Sequence, residues 1–236
     1  MRARLLAILL LPLLLASCVL SPGKFTSMLT INADRSFAFS YVGEVIALDP
    51  SGLGDLASLK AGSGADAKPA NDAAKKAAAR AEAERRNQAI AAALSKEAGY
   101  RKVSYLGAGK FSIDYAVKGT LTHGFHWPFN LDAELIFPFL SIELRQGGVV
   151  RMQAPAFGAG GSKALPGLAE AGAALPDTAS QLDGVFTLDT DAEIISQNEE
   201  SGVQRTAGGR QQIVWRATPA LKQAPTAVLR LAAPAP

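Results

Sequence analysis

Period-two alternation constrains this chain more than any other feature. In Phe25-Thr-Ser-Met-Leu-Thr-Ile31, the residues Phe25, Leu29 and Ile31 fall on one parity. Across the turn Asn32-Ala-Asp-Arg35, so do Phe37, Phe39, Tyr41 and Val45. Successive side chains of a strand point to opposite faces, so this pattern buries one face of each run and predicts a β-hairpin. The pattern returns in Lys102–Leu106 and Lys110–Lys118 around Gly107-Ala-Gly109, a second hairpin. Asn130–Leu144 reads as a long apolar strand turning at Gln146-Gly-Gly148 into Val149–Met152. Pro138 inside it has no N–H for a ladder and predicts an edge or a bulge. Gly184–Leu188, Ala192–Ser196 and Gln211–Arg216 complete an antiparallel sheet, and Ala227–Leu231 is placed on its edge.

One segment breaks this rhythm. Residues 70–99 are dominated by Ala, Lys, Arg, Glu and Gln, which are strong helix formers. Asn71 or Asp72 can cap the start, and Gly99 stands where a C-cap belongs. The large apolar residues are Ile90 and Leu94, four apart, so the second half is expected to pack and the first half to lie in solvent. Its basic residues, Lys75, Lys76, Arg80, Arg85 and Arg86, against Glu82 and Glu84, read as a solvated face, with contact to anionic headgroups as the alternative. Residues 49–69 form a linker of Gly, Ser, Ala and Asp. Residues 155–183, rich in Gly, Ala and Pro, form a flexible loop, and 232–236 a disordered tail. Helix and strands segregated along the chain define an α+β domain. The expected architecture is a curved antiparallel sheet of about seven to nine strands with one long helix packed on it, in the order hairpin, helix, meander.

The chain opens with Arg2 and Arg4, an apolar run from Leu5 to Leu15, and then Ala16-Ser17-Cys18. A basic start, a short apolar core and small residues at its end make a secretory signal. The run is too short to span a bilayer, which takes roughly 20 residues. Leu15-Ala16-Ser17-Cys18 resembles the lipobox of bacterial lipoproteins. That resemblance implies removal of residues 1–17 and a diacylglycerol thioether on Cys18, usually with a third acyl chain on its amine. Two or more chains give stable anchoring where one gives only reversible binding. Val19 rather than Asp follows the cysteine, which under the sorting rule of enteric-like bacteria implies the periplasmic face of the outer membrane. Residues 18–24 read as a tether reaching ~20 Å when extended, followed by a single domain, 25–236. From Phe25 to Arg216, the element order and the terminal Val-Trp pair resemble lipid-anchored domains of the mycobacterial LppM type. What that resemblance implies is an extracytoplasmic binder of lipid or glycolipid, with no ligand residue that can be carried over.

Charge and cysteine content exclude other classes. The net charge of +3 contains Arg2 and Arg4, so losing the leader takes two of the 24 basic side chains and leaves 22 against 21 acidic ones. A balanced chain lacks the basic excess of a nucleic-acid binder. Cys18 is the sole cysteine, so neither an intramolecular disulfide nor a cysteine-based zinc site is available, and stability rests on a packed core.

No stretch carries a convincing catalytic constellation. His123 and His126 flank an aromatic run, His-Gly-Phe-His-Trp-Pro-Phe, but a strand would turn them to opposite faces, and no third ligand adjoins them. That run reads instead as an amphipathic aromatic loop at a sheet end or membrane surface. Gly160-Gly-Ser-Lys-Ala164 lacks the final glycine of a nucleophile elbow, and Ser21-Pro-Gly-Lys24 matches Ser-x-x-Lys only on paper. Gly107-Ala-Gly-Lys110 lacks the upstream glycine of a phosphate loop. Asp189 and Asp191 read as turn residues. The expectation is a protein that is not an enzyme, with no metal and no cofactor beyond the lipid on Cys18. It is held on a membrane and binds an apolar or amphiphilic envelope molecule. The alternative is a structural lipoprotein docking on another envelope protein. The strand around Ile136, Phe137, Phe139 and Leu140 is apolar on both parities. Together with Phe125 and Trp127, it is the candidate ligand or interface surface.

Overall fold

In the computed structural model, residues 19–48, 69–128, 138–158 and 181–232 are described. The expected signal (1–17), Cys18, the linker 49–68, Ile136, Phe137, the centre of the Gly-rich loop (159–180) and the last four residues of the tail lie outside them. The architecture is α+β, and among the described residues it has one α-helix and two sheets.

The first hairpin is longer than its alternation indicates. β1 (Val19–Ile31) pairs antiparallel with β2 (Ser36–Leu48), from Ile31 opposite Phe37 back to Val19 opposite Leu48. Residues 19–24, expected to form a tether, therefore belong to the sheet. Their alternation is hidden because the register shifts between Pro22 and Phe25. Gly43 faces the shifted segment, and a side chain there would collide with Lys24 and Phe25.

Helix α1 (Pro69–Leu94) follows, ending five residues before Gly99. Ile90, Ala91 and Leu94 are buried, and every residue described from Ala74 to Glu82 is exposed, as the spacing of its apolar residues requires. Gly99, at φ +92°, turns the chain into β3 (Tyr100–Gly107), where a Cβ would strike the Tyr115 ring. β4 (Lys110–Thr120) pairs with both β3 and β2. The remaining strands are β5 (Gly124–Trp127), β6 (Leu140–Leu144), β7 (Val149–Gln153), β8 (Asp183–Thr190), β9 (Glu193–Gln197), β10 (Gln204–Arg205), β11 (Gln211–Ala217) and β12 (Thr226–Arg230).

The twelve strands among the described residues divide into a seven-stranded sheet, β10-β11-β8-β1-β2-β4-β3, and a five-stranded one, β5-β6-β7-β12-β9. All pairings are antiparallel except β1 with β8, which runs parallel from Lys24 opposite Asp183 to Ile31 opposite Thr190. β12, expected at an edge, lies between β7 and β9.

The two sheets face each other across an aromatic core. Tyr41 of β2 meets Trp127 of β5 with ring centroids 4.5 Å apart, and Phe39 meets the same indole at 5.3 Å. Phe25 packs on Phe157 at 4.4 Å, Phe157 on Phe186 at 5.3 Å, and Phe186 on Trp215 at 5.5 Å. Phe157 is fully buried in a short 3₁₀ turn, so the start of the segment read as a flexible loop belongs to the core. The opposite face of the seven-stranded sheet looks outward through Thr26, Met28, Ser40, Val42 and Asp114.

Candidate functional site

Of the aromatic and apolar residues singled out as a ligand surface, the four that are described turn toward the core. Trp127, Phe139 and Leu140 are buried against the seven-stranded sheet, and Phe125 is half-buried beside Phe37 (5.2 Å) and Phe39 (5.7 Å). The expected aromatic loop is β5, in which Phe125 and Trp127 share a parity and turn into the core together. His126, on the other parity, is exposed and shares a hydrogen bond between Nδ1 and Ser141 Oγ at 2.9 Å. Among the described residues no three of His, Cys, Asp and Glu lie together as a metal set would require.

Asp189 and Asp191 do come together, on one cation. Asp189 is buried at the end of β8, where it takes an ion pair from Arg210 and a 2.9 Å hydrogen bond from Gln212 Nε2. Asp191 lies 3.7 Å from the same guanidinium and accepts the Ala33 N–H at 2.7 Å. Arg210 also donates to Asn32 Oδ1 at 2.9 Å, and Thr190 Oγ1 donates to the Ile31 carbonyl at 2.6 Å. The cluster ties the β1–β2 turn to the ends of β8 and β11. Both carboxylates share one guanidinium, so they form a brace rather than an acid–base pair.

Among the described residues an opening lies between helix and sheet. A cleft of about 350 Å³ is lined by Ala47, Arg80, Ala83, Glu84, Arg86, Asn87, Ala108 and Gly109. Three parts of the chain build it. Residues 80, 83, 84 and 87 recur at helical spacing and so form one face of α1. The β3–β4 turn supplies Ala108 and Gly109, both at positive φ, and Gly109 passes so close to β2 that a Cβ would stand 2.8 Å from the Ala47 carbonyl. The end of β2 supplies Ala47, whose N–H bonds the Gly109 carbonyl at 2.7 Å.

The polar groups of the cleft are unevenly satisfied. Glu84 Oε1 accepts the Ala108 N–H at 3.0 Å and is committed to the turn. Tyr105 O–H accepts the Gly109 N–H at 3.0 Å and meets the Asn87 amide nitrogen at 3.4 Å. Asn87 is only 6% exposed, yet its Oδ1 has no partner, and neither has the buried Nε of Arg86. A buried polar atom without a partner costs about 1–3 kcal/mol. Two of them stand on adjacent residues beside the open cleft. Among the described residues neither Arg80 nor Arg86 forms an ion pair with a carboxylate, which leaves two guanidiniums to one carboxylate. Sequence reading placed these arginines on a solvated face, with contact to anionic headgroups as the alternative. The signal that singles out Asn87 is its spacing: it precedes Ile90 by three residues and Leu94 by seven, on the buried stripe.

The protein is thus an α+β domain with two facing sheets and a polar cleft under its helix. No known family model matches the sequence. No curated protein matches it either. Among solved structures it is similar to the folded domain of LppM from Mycobacterium tuberculosis, determined by NMR. The two share 18% identity over 91% of this chain and 92% of that one, with a TM-score of 0.33.

Proposed function

We propose that this chain is a non-enzymatic lipoprotein of the bacterial envelope. It is anchored through Cys18, faces the periplasm from the outer membrane, and binds an amphiphilic envelope molecule at the membrane surface. The observation that carries the reading is the start of β1. Val19, the residue after the lipobox cysteine, is already paired with Leu48, so a lipid on Cys18 would hold the sheet directly on the bilayer without a tether. The cleft opens at the same end of the molecule, since Ala47 in its wall pairs with Leu20. Feeding expressing cells an alkyne-tagged fatty acid tests the anchor. Wild type is expected to take up label and float with outer membranes, and Cys18→Ser to take up none. An unlabelled wild type would sink the reading. Mass spectrometry of an organic extract of the purified protein then tests for a stoichiometric ligand.

A second reading, docking on another envelope protein, is favoured by the outer face of the seven-stranded sheet. Met28 and Val42 are 40% and 50% exposed there, in a patch that continues through Thr26, Val185 and Val214. A photo-crosslinker at position 42 is expected to trap one defined envelope protein if this face docks. The absence of any protein adduct counts against it.

A further inference from the structure

Resting on that reading of a membrane-seated binder, we propose that the cleft between α1 and the β3–β4 turn is a phosphoryl-binding site. Arg80, Arg86 and Asn87 hold the phosphate of a lipid headgroup from the anchoring membrane. The chemistry follows from what the cleft leaves open. Arg86 presents a buried Nε–H with no acceptor, and Arg80 adds a second guanidinium. A guanidinium fork fits the oxygens of a phosphate better than any neutral group does. Asn87 keeps one polar end of its amide on Tyr105 and the other without a partner. Turned either way, that amide has a group to give to a phosphate oxygen or to a headgroup hydroxyl. Glu84, the carboxylate in the wall, is held by the Ala108 N–H, so the net charge of the lining favours an anion.

The lipid source follows from position. Ala47 lies opposite Leu20, two residues beyond Cys18, which puts the cleft at headgroup height in an anchored protein. Among the described residues the inter-sheet core is packed with aromatic rings. The tails therefore stay in the bilayer, and only the headgroup enters. At about 350 Å³ the cleft is larger than a lone carboxylate needs and suits a phosphate with a small polar substituent.

The test uses the full-length protein in neutral-detergent micelles, followed by thermal unfolding. Phosphatidylglycerol is titrated in one arm and water-soluble glycerol phosphate in the other. Phosphatidylglycerol is expected to raise the midpoint saturably. Both the double variant R80Q/R86Q and the charge-conserving R86K should require at least tenfold more lipid, while K118Q, away from the cleft, should respond like wild type. The same arginine-dependent shift from glycerol phosphate at matching concentration keeps the phosphoryl site but assigns it to soluble esters. A response that R86K and R80Q/R86Q share with wild type, or no response to either compound, overturns the proposal. An unlabelled Cys18 with an arginine-dependent shift would sink the anchor and leave this site standing. A labelled Cys18 with no shift would do the reverse.

Discussion

The Phe25 ring lies over Gly184, its partner across the parallel pairing of β1 and β8. A Cβ at residue 184 would stand 2.6 Å from Phe25 Cζ and closer still to two other ring atoms. That ring also stacks on Tyr41 and Phe157, so it has nowhere to retreat. Gly184→Ala is expected to destabilise the fold by about 1–3 kcal/mol, the usual cost of overpacking. Gly208→Ala, with only Thr206 Oγ1 nearby at 3.9 Å, should leave it unchanged. Urea denaturation of the two variants checks the contrast, and equal midpoints would refute the packing account.

The two halves of α1 should respond differently to substitution. Leu94→Ala removes a buried side chain that seats the helix and is expected to cost about 2–5 kcal/mol. Ala78→Gly, on the exposed first half, should lower helix content without moving the unfolding midpoint, although glycine costs about 1 kcal/mol in a helix interior. Far-UV circular dichroism with amide exchange separates the two effects.

Asp189 braces three turns through Arg210. Removing one partner of a fully buried pair costs about 3–5 kcal/mol. Here the Arg210 side chain is 32% exposed and can still reach Asp191 and water, so Asp189→Ala is expected to cost about 2 kcal/mol. Asp191→Asn keeps an oxygen for the Ala33 N–H and should cost no more than ~0.5 kcal/mol. Thermal melts of both variants decide it.

Alkaline pH should unfold this protein through its tyrosines. Burial pushes the phenols of Tyr41, Tyr100 and Tyr115 above the ordinary value of 10.0, and at Tyr100 the neighbouring Tyr115 and Glu97 add to the rise. Below pH 10 the phenols are neutral in both states, and their contribution to stability is fully present. Above it the unfolded chain ionises first, so stability falls as pH climbs toward the folded values. Urea midpoints at pH 9, 10 and 11 should decline, and Tyr100→Phe should decline less steeply. A flat profile in wild type would contradict the assignment.

Much of the fold is legible in the alternation of apolar residues, because parity on a strand and spacing on a helix depend only on local geometry. Phe39 and Tyr41 announce a buried face, as Ile90 and Leu94 announce the helix's seat, and all four are buried. Alternation says which face is covered and nothing of what covers it. The division into two sheets, the central place of β12 and the parallel union of β1 with β8 rest on pairings between distant residues, such as Ile31 with Thr190. Trp127 and Phe139 look like a ligand surface as a string and become interior once the second sheet lies over the first. The cleft is legible only in three dimensions, since Ala47, Asn87 and Gly109 meet there from separate elements. By itself the sequence determined which face of the first hairpin and which end of the helix are buried, because both are written in consecutive residues. The tertiary structure decided that the sheet begins at Val19 and that the open site is polar, because only long-range packing settles which polar atoms are left without partners.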